Sequence, residues 1–193
     1  MKRIGITGTI GSGKSALASL LAREYPVLDC DQVIKDLEQP GALGWRLILE
    51  YFGASYFKED QSLDKVKLAA AVFESDTKRK LLEALLHPLV RQVMVAWMNQ
   101  QKTEFCFVQV PLLYETAMEL YFDAVVVVYA KQKTIVHRLL ERGLSEDQIQ
   151  ARMKSQMPIE EKVKRADYTI DNNGNLSVLA SRVLQLLHEL KKD

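Results

Sequence analysis

The chain reads as an α/β protein: a doubly wound parallel sheet of about five strands flanked by helices and interrupted by one all-helical insertion. Three observations carry this reading. Arg3 to Thr7, Phe105 to Val110 and Ala124 to Tyr129 are β-rich and continuously apolar, as in central parallel strands covered on both faces. Stretches of helical pattern separate them, giving a βαβ succession. Finally, the segment from about Asp31 to Thr103 far exceeds the dozen or so residues a crossover needs, so it must carry structure of its own.

Taken in order, the first strand, Arg3-Ile4-Gly5-Ile6-Thr7, runs directly into Gly8-Thr9-Ile10-Gly11-Ser12-Gly13-Lys14-Ser15, the pattern G-x-x-x-x-G-K-[ST] of a P-loop NTPase-type fold. Its glycines let backbone N–H groups curl around a triphosphate, Lys14 reaches the β and γ oxygens, and the Ser15 hydroxyl is placed to ligate Mg²⁺. Ser15 to Arg23 has the spacing of a helix whose N-terminal dipole points at the phosphates. Gly11, Ser12, Gly13, Lys14, Ser15 and Ala16 are therefore the expected nucleotide-binding residues.

A weaker strand, Val27-Leu28, ends at Asp29-Cys30-Asp31. Carboxyl ends of strands face the ligand crevice of an open sheet. One of these carboxylates is thus a candidate proton acceptor for an attacking hydroxyl, and Asp29 or Asp31 a candidate for holding Mg²⁺ or its waters. Capping of the next helix at Gln32 is the structural alternative. The insertion that follows reads helical throughout, with turn signals at Pro40-Gly41, Gly53, Asp60 to Ser62 and Ser75-Asp76, and is where a second substrate is expected. Within it His87 precedes Pro88. His137 and His188 read as packing or surface residues, lacking partners or metal spacing.

After the strand Phe105 to Val110, Pro111-Leu112-Leu113-Tyr114-Glu115 offers leucines and an aromatic to wall a pocket, with Glu115 as an orienting acceptor; core packing explains the leucines almost as well. The helix expected from Lys131 to Arg142 carries Arg138 and Arg142 four apart, on one face, where guanidinium groups neutralise phosphoryl oxygens. It ends at Gly143, and Ser145-x-x-Gln148 forms a capping box for a helix reaching about Gln156 and stopping before Pro158. Arg152 on this flap is a further candidate. A weak last strand, Tyr168-Thr169-Ile170, leads to Asp171-Asn172-Asn173-Gly174, a turn opening a helix, with Asn172 and Gly174 where a purine base is held.

With 193 residues, 48% of them hydrophobic, the chain supports one core with an insertion rather than two large domains. A net charge of +1 gives no support to a nucleic-acid or membrane surface role. Cys30 and Cys106 lack C-x-x-C spacing and read as reduced thiols. No apolar leader precedes the loop, and the longest apolar run, Ala124 to Ala130, is far short of a membrane span. A soluble cytoplasmic protein without an obligate protein partner is expected.

In combination these motifs make the chain resemble the dephospho-coenzyme A kinases. The likeness is collinear over Ile6 to Ser15, Asp29-Cys30-Asp31, Glu38-Gln39-Pro40-Gly41, His87-Pro88, Val110 to Glu115, Arg138, Arg152 to Gln156 and Ala166 to Gly174. It implies transfer of the ATP γ-phosphate, with Mg²⁺, to the ribose 3′-hydroxyl of dephospho-coenzyme A. By resemblance Asp31 is the general base and Arg138 neutralises the transferring phosphate; from the loop pattern and the helix face, Lys14 is expected to serve catalysis with them and Arg142 to join the nucleotide contacts. The acceptor would meet Thr7, Asp31, His87, Leu112, Leu113, Glu115 and Arg138. Residues 1–31, 104–142 and 158–193 would form the nucleotide-binding core, 32–103 the helical coenzyme-A-binding insertion and 143–157 the lid. Three positions depart from the family pattern: Ala16 where threonine is common, Thr9 where glycine is frequent, and Cys30 where alanine is common, which would expose the site to thiol reagents. Another small phosphate-loop kinase, for nucleoside monophosphates or a small alcohol, is the alternative. A nucleotide switch is disfavoured, because D-x-x-G occurs only near the C-terminus and N-K-x-D nowhere.

Overall fold

The computed structural model describes residues 1–192. Its strands are β1 (Lys2–Thr7), β2 (Val27–Asp29), β3 (Phe105–Gln109), β4 (Ala124–Tyr129) and β5 (Tyr168–Asp171). The helices are α1 (Lys14–Leu21), α2 (Cys30–Leu37), α3 (Leu43–Phe52), α4 (Lys65–Glu74), α5 (Asp76–Gln100), α6 (Gln132–Glu141), α7 (Glu146–Lys154), α8 (Ile159–Arg165) and α9 (Leu176–Leu190). The chain divides into two compact units, one of Met1–Asp29 with Gln100 onward, the other Cys30–Asn99.

The first unit is built on a parallel five-stranded sheet ordered β2-β3-β1-β4-β5. Strand order reverses at β1, since the chain first builds toward β3 and β2 and then crosses to β4. That switch point puts the ligand crevice at the carboxyl end of β1, where the glycine loop begins. One sheet face buries Ile4, Ile6, Phe105, Phe107, Val126 and Val128 against Leu17 and Leu21 of α1 and a leucine-rich face of α9. The apolar runs Phe105–Val108 of β3 and Val125–Val128 of β4 follow from cover on both faces: all of β3 and Val125–Val128 are buried. The C-terminal helix starts later than the turn motif implied, because Asn175 is its N-cap, accepting from the Val178 N–H at 3.1 Å. Asp171 itself belongs to β5.

The second unit is mainly helical around Ile48, Leu63, Leu68 and Leu86. Gly41 and Gly53 take φ of 83° and 88° at the turns. The helical reading fails locally between α3 and α4, where Phe57 and Leu63 form an antiparallel bridge. The turn there is closed by Asp60, whose carboxylate accepts from the Ser62 N–H and hydroxyl. Helix α5 continues through Pro88, although the missing N–H leaves the Ala84 carbonyl without its usual donor. Burial of Leu86, Val90, Met94 and Met98 on both sides of the proline offsets that loss. Among the described residues α5 is the one helix long and apolar enough to cross a membrane, which the count of unbroken apolar runs missed. Glu83, His87 and Arg91 recur every fourth residue along it, a polar row suited to a helix of a folded unit.

Candidate active site

The loop after β1 owes its path to glycines in backbone regions that side chains avoid. Gly8 has φ 150°, and a Cβ there would lie 2.2 Å from the Val128 carbonyl oxygen. Gly13, the left-handed N-cap of α1, has φ 102°, and a Cβ would lie 1.9 Å from Asn172 Nδ2. Thr9 takes no positive φ, so the absence of glycine there costs the loop nothing. Lys14 folds back over its own loop, donating from Nζ to the Gly8 and Thr9 carbonyls at 3.0 Å each. Ser15 is exposed on the first turn of α1, while Ala16 packs against the sheet core, so it contributes a backbone N–H and no hydroxyl.

Two elements from the far half of the chain brace this loop. Arg138 of α6 donates from Nη2 to the Asn172 carbonyl at 2.9 Å and lies 3.5 Å from the Gly11 and Ser12 carbonyls. Asn172 is buried, and its Nδ2 donates to the Ser12 carbonyl at 2.8 Å. Its side-chain amide is therefore a strut beneath the loop, at the residue where a purine contact was expected. Asn173 accepts from the Lys131 N–H and the Thr134 hydroxyl, pinning the start of α6. Burial opposes ionisation of Asp171, but hydrogen bonds from Asn173 and the Arg182 charge outweigh it and hold the carboxyl below its ordinary range. Gly174 is an exposed turn residue. Arg142, at the end of α6, is exposed, and its side chain has no hydrogen bond or ion pair among the described residues.

The segment after β3 departs furthest from expectation. Leu113 is fully buried and belongs to the core, leaving only Leu112, 39% exposed, to wall a ligand. Thr7 is also fully buried, its hydroxyl donating to the Pro111 carbonyl at 3.3 Å. Glu115 does not point to a free pocket: Oε1 is 2.8 Å from Lys162 Nζ and accepts the Met157 N–H at 2.8 Å. Tyr114 is buried beneath the Arg165 guanidinium, and that burial pushes its phenol up to about 12.

At the carboxyl ends of β2 and β3, Asp29 is paired in register with Gln109, and Gln109 with Ile6. Register partners share a face, and Phe105 and Phe107, the same parity as Gln109, pack against α1. Gln109 is 3% exposed, and its Oε1 is a buried acceptor without a partner. Because β1 and β3 run parallel, this acceptor and Asp29 lie at the sheet edge from which the loop and α1 set out. Ser15, Asp29 and Gln109 carry oxygens of the kind a hard divalent cation takes. No group of three His, Cys, Asp or Glu side chains that could hold a metal occurs among the described residues, so such an ion would draw most of its shell from phosphate and water.

The remaining candidates belong to the second unit. Asp31 is exposed in the first turn of α2, which starts at Cys30 immediately after β2. Cys30 is 2% exposed, so the expected thiol sensitivity has no accessible sulfur behind it. His87 is half-buried on α5, and burial holds its imidazole below the ordinary value, with Glu83 opposing and Arg91 adding.

Sequence reasoning missed Asn173, Lys162, Gln109 and the side-chain role of Gln156, which accepts the Ile10 N–H at 2.9 Å. The Asx character of Asn173 and the capping box of α7, which is present as expected, were legible. A lysine in the run Glu160-Glu161-Lys162-Val163-Lys164 reads as solvated, yet Lys162 is fully buried.

Comparison with known proteins bears on the whole of this architecture. The family model for dephospho-CoA kinase matches residues 2–177. A dephospho-CoA kinase of Corynebacterium glutamicum is 39% identical over 98% of both chains, and one of Arabidopsis thaliana 36% identical over 100% of this chain and 85% of its own. Among solved structures, a Thermus thermophilus protein superposes with a TM-score of 0.82 at 36% identity, covering 98% of this chain and 97% of its own. The dephospho-CoA kinase of Campylobacter jejuni gives 0.71 at 26% identity, with the same coverage. A shikimate kinase from Acinetobacter baumannii shares the fold, at 0.59 and 18% identity over 100% of this chain and 96% of its own. With the family match running from β1 to the start of α9 across both units, and the braced phosphate loop inside it, the chain belongs to the dephospho-CoA kinase family.

Proposed function

We propose that the chain transfers the γ-phosphoryl group of ATP to the ribose 3′-hydroxyl of dephospho-coenzyme A, giving coenzyme A and ADP, the last step of coenzyme A synthesis. The observation that carries the proposal is the family match across residues 2–177, which takes in the phosphate loop and the whole helical unit. In the proposed reaction the acceptor oxygen forms a bond to the γ-phosphorus as the bond to the β-bridging oxygen breaks, and Asp31 receives the hydroxyl proton. Lys14 exchanges the Gly8 and Thr9 carbonyls for phosphate oxygens, and Arg138, already against the loop, carries charge that the transferring group spreads over its oxygens. A loose transition state makes positioning and charge the larger contribution, proton removal the smaller.

Mg²⁺ would sit with Ser15, with Asp29 and Gln109 holding it or its waters, and when bound it neutralises the triphosphate. Within the proposal, residues 32–103 take the coenzyme A moiety, with Asp31 and His87 as acceptor contacts, and 143–157 act as a lid carrying Arg152. Arg142 is proposed to meet the nucleotide, and the cytoplasm is the proposed setting. ADP release over an acceptor panel of dephospho-coenzyme A, AMP, CMP, shikimate and gluconate tests the assignment. Dephospho-coenzyme A is expected to be turned over far faster than the rest, and equal or greater turnover of any other acceptor would refute it.

A further inference from the structure

Two consecutive residues after α7 bind distant parts of the nucleotide unit. Gln156 Oε1 accepts the backbone N–H of Ile10, inside the phosphate loop, at 2.9 Å. The next residue, Met157, donates its N–H to Glu115 Oε1 at 2.8 Å. That carboxylate oxygen is also 2.8 Å from Nζ of the fully buried Lys162, which lies 3.4 Å from the Pro111 carbonyl. A buried ammonium demands its counter-charge, so Glu115 is fixed in orientation, and through Met157 it fixes where the Gln156 side chain starts. Ile10 packs against the cluster of Ile135 and Leu139 from α6 with Ile149 from α7, so the residue is held by side chain and backbone alike.

The Ile10 N–H shares a peptide plane with the Thr9 carbonyl. That carbonyl accepts from Lys14 Nζ at 3.0 Å and from the Ser12 N–H at 3.2 Å. Rotation of this one peptide would strand the Ile10 N–H and break the bond from the Ser12 N–H to the Thr9 carbonyl that closes the loop. We infer that Gln156 is a positioning residue of the phosphate loop, locking the Thr9–Ile10 peptide and through it the backbone path that meets the phosphates. The Glu115–Lys162 pair is its anchor. This gives the Glu115 carboxylate a role on the nucleotide side of the reaction, in place of the acceptor contact expected of it. The inference rests on the loop's holding ATP phosphates.

Calorimetric titration with ADP and steady-state kinetics with both substrates test the clamp in the full chain. Gln156→Ala is expected to weaken ADP binding and raise the KM for ATP about tenfold, the order expected when a partnered backbone N–H is left alone. The KM for dephospho-coenzyme A should stay within about twofold. Gln156→Glu, which keeps an acceptor oxygen at similar reach, should return ADP affinity to within about threefold of the wild type. ADP affinity of Gln156→Ala within about twofold of wild type would overturn the inference, as would Gln156→Glu binding ADP no better than Gln156→Ala. Glu115→Ala combined with Lys162→Met avoids a stranded charge and should reproduce the ATP defect; a KM rise confined to dephospho-coenzyme A would overturn the anchor. Because the ADP titration needs no acceptor, failure of the clamp and failure of the proposed acceptor are separate results.

Discussion

Replacing Asn172 by alanine separates a strut from a base contact. The substitution removes one buried hydrogen bond, Nδ2 to the Ser12 carbonyl at 2.8 Å, and leaves the backbone bonds of residue 172 to Tyr129 and Arg138 intact. Arg138 Nη1 also donates to the Ser12 oxygen, but at 3.5 Å that long bond makes up little of the loss. A buried acceptor left with only such a long bond costs about 1–3 kcal/mol, and near 200 residues each kcal/mol moves Tm by about 2–4 °C. A central loss of about 2 kcal/mol thus predicts a melting temperature lower by about 4–8 °C. Affinity for ATP and GTP should fall together, their ratio unchanged. Differential scanning calorimetry and competition binding read both quantities. A melting temperature within about 1 °C of wild type together with a changed ATP-to-GTP ratio would refute the strut and restore the purine contact. The same geometry predicts coupling. Gly13→Ala places its Cβ against Asn172 Nδ2 and strains a φ of 102°, whereas in the Asn172→Ala background the collision is gone and the strain alone remains. The second cost should be smaller by at least about 1 kcal/mol in a double-mutant cycle.

Other substitutions probe the chemistry. Lys14→Ala should lower kcat by about two to three orders of magnitude, the scale of losing one aimed charge or donor in a transition state, read by coupled ADP release. Asp31→Asn is expected to depress kcat more than either KM and to be no more damaging than Lys14→Ala; near-normal turnover would remove it as the base. His87 is held below 6.5 chiefly by burial, so the unfolded chain binds more protons there than the folded one. Its contribution to stability is full above pH 6.5 and is lost as pH falls through the lower folded value. The melting temperature should accordingly drop between about pH 7.5 and 5.5, and His87→Gln should flatten that slope. An identical slope in the variant would assign the effect to other groups.

The centre of the sheet was legible because β3 and β4 are buried on both faces and so carry a strong apolar signal, as Val125 to Val128 do, whereas the half-exposed edge strands β2 and β5 signalled weakly. The glycine loop was legible for a different reason: Gly8 and Gly13 stand where any Cβ would strike Val128 or Asn172, so local sterics alone demand the residue type. Side-chain partnerships across the chain leave no such local trace. Thr7, Leu113, Glu115 and Asn172 all fall near the crevice, and position along the sequence made each a ligand contact in expectation. Their polar atoms or side-chain volume are spent inside the protein instead, on Pro111, the core, Lys162 with Met157, and Ser12. The physical reason is that a phosphate loop aims its backbone donors outward at the ligand, so the carbonyls and stray N–H groups on its other side need partners of their own. Asn172 answers Ser12, Gln156 answers Ile10, and Lys14 covers Gly8 and Thr9. Residues beside such a loop are thus divided between those that touch the ligand and those that hold the loop. A single polar side chain in a sequence does not reveal which, since both tasks call for the same donors and acceptors. Burial separates them here: Asn172, Thr7 and Lys162 lie inside, whereas Ser15, Arg142 and Arg152 are exposed.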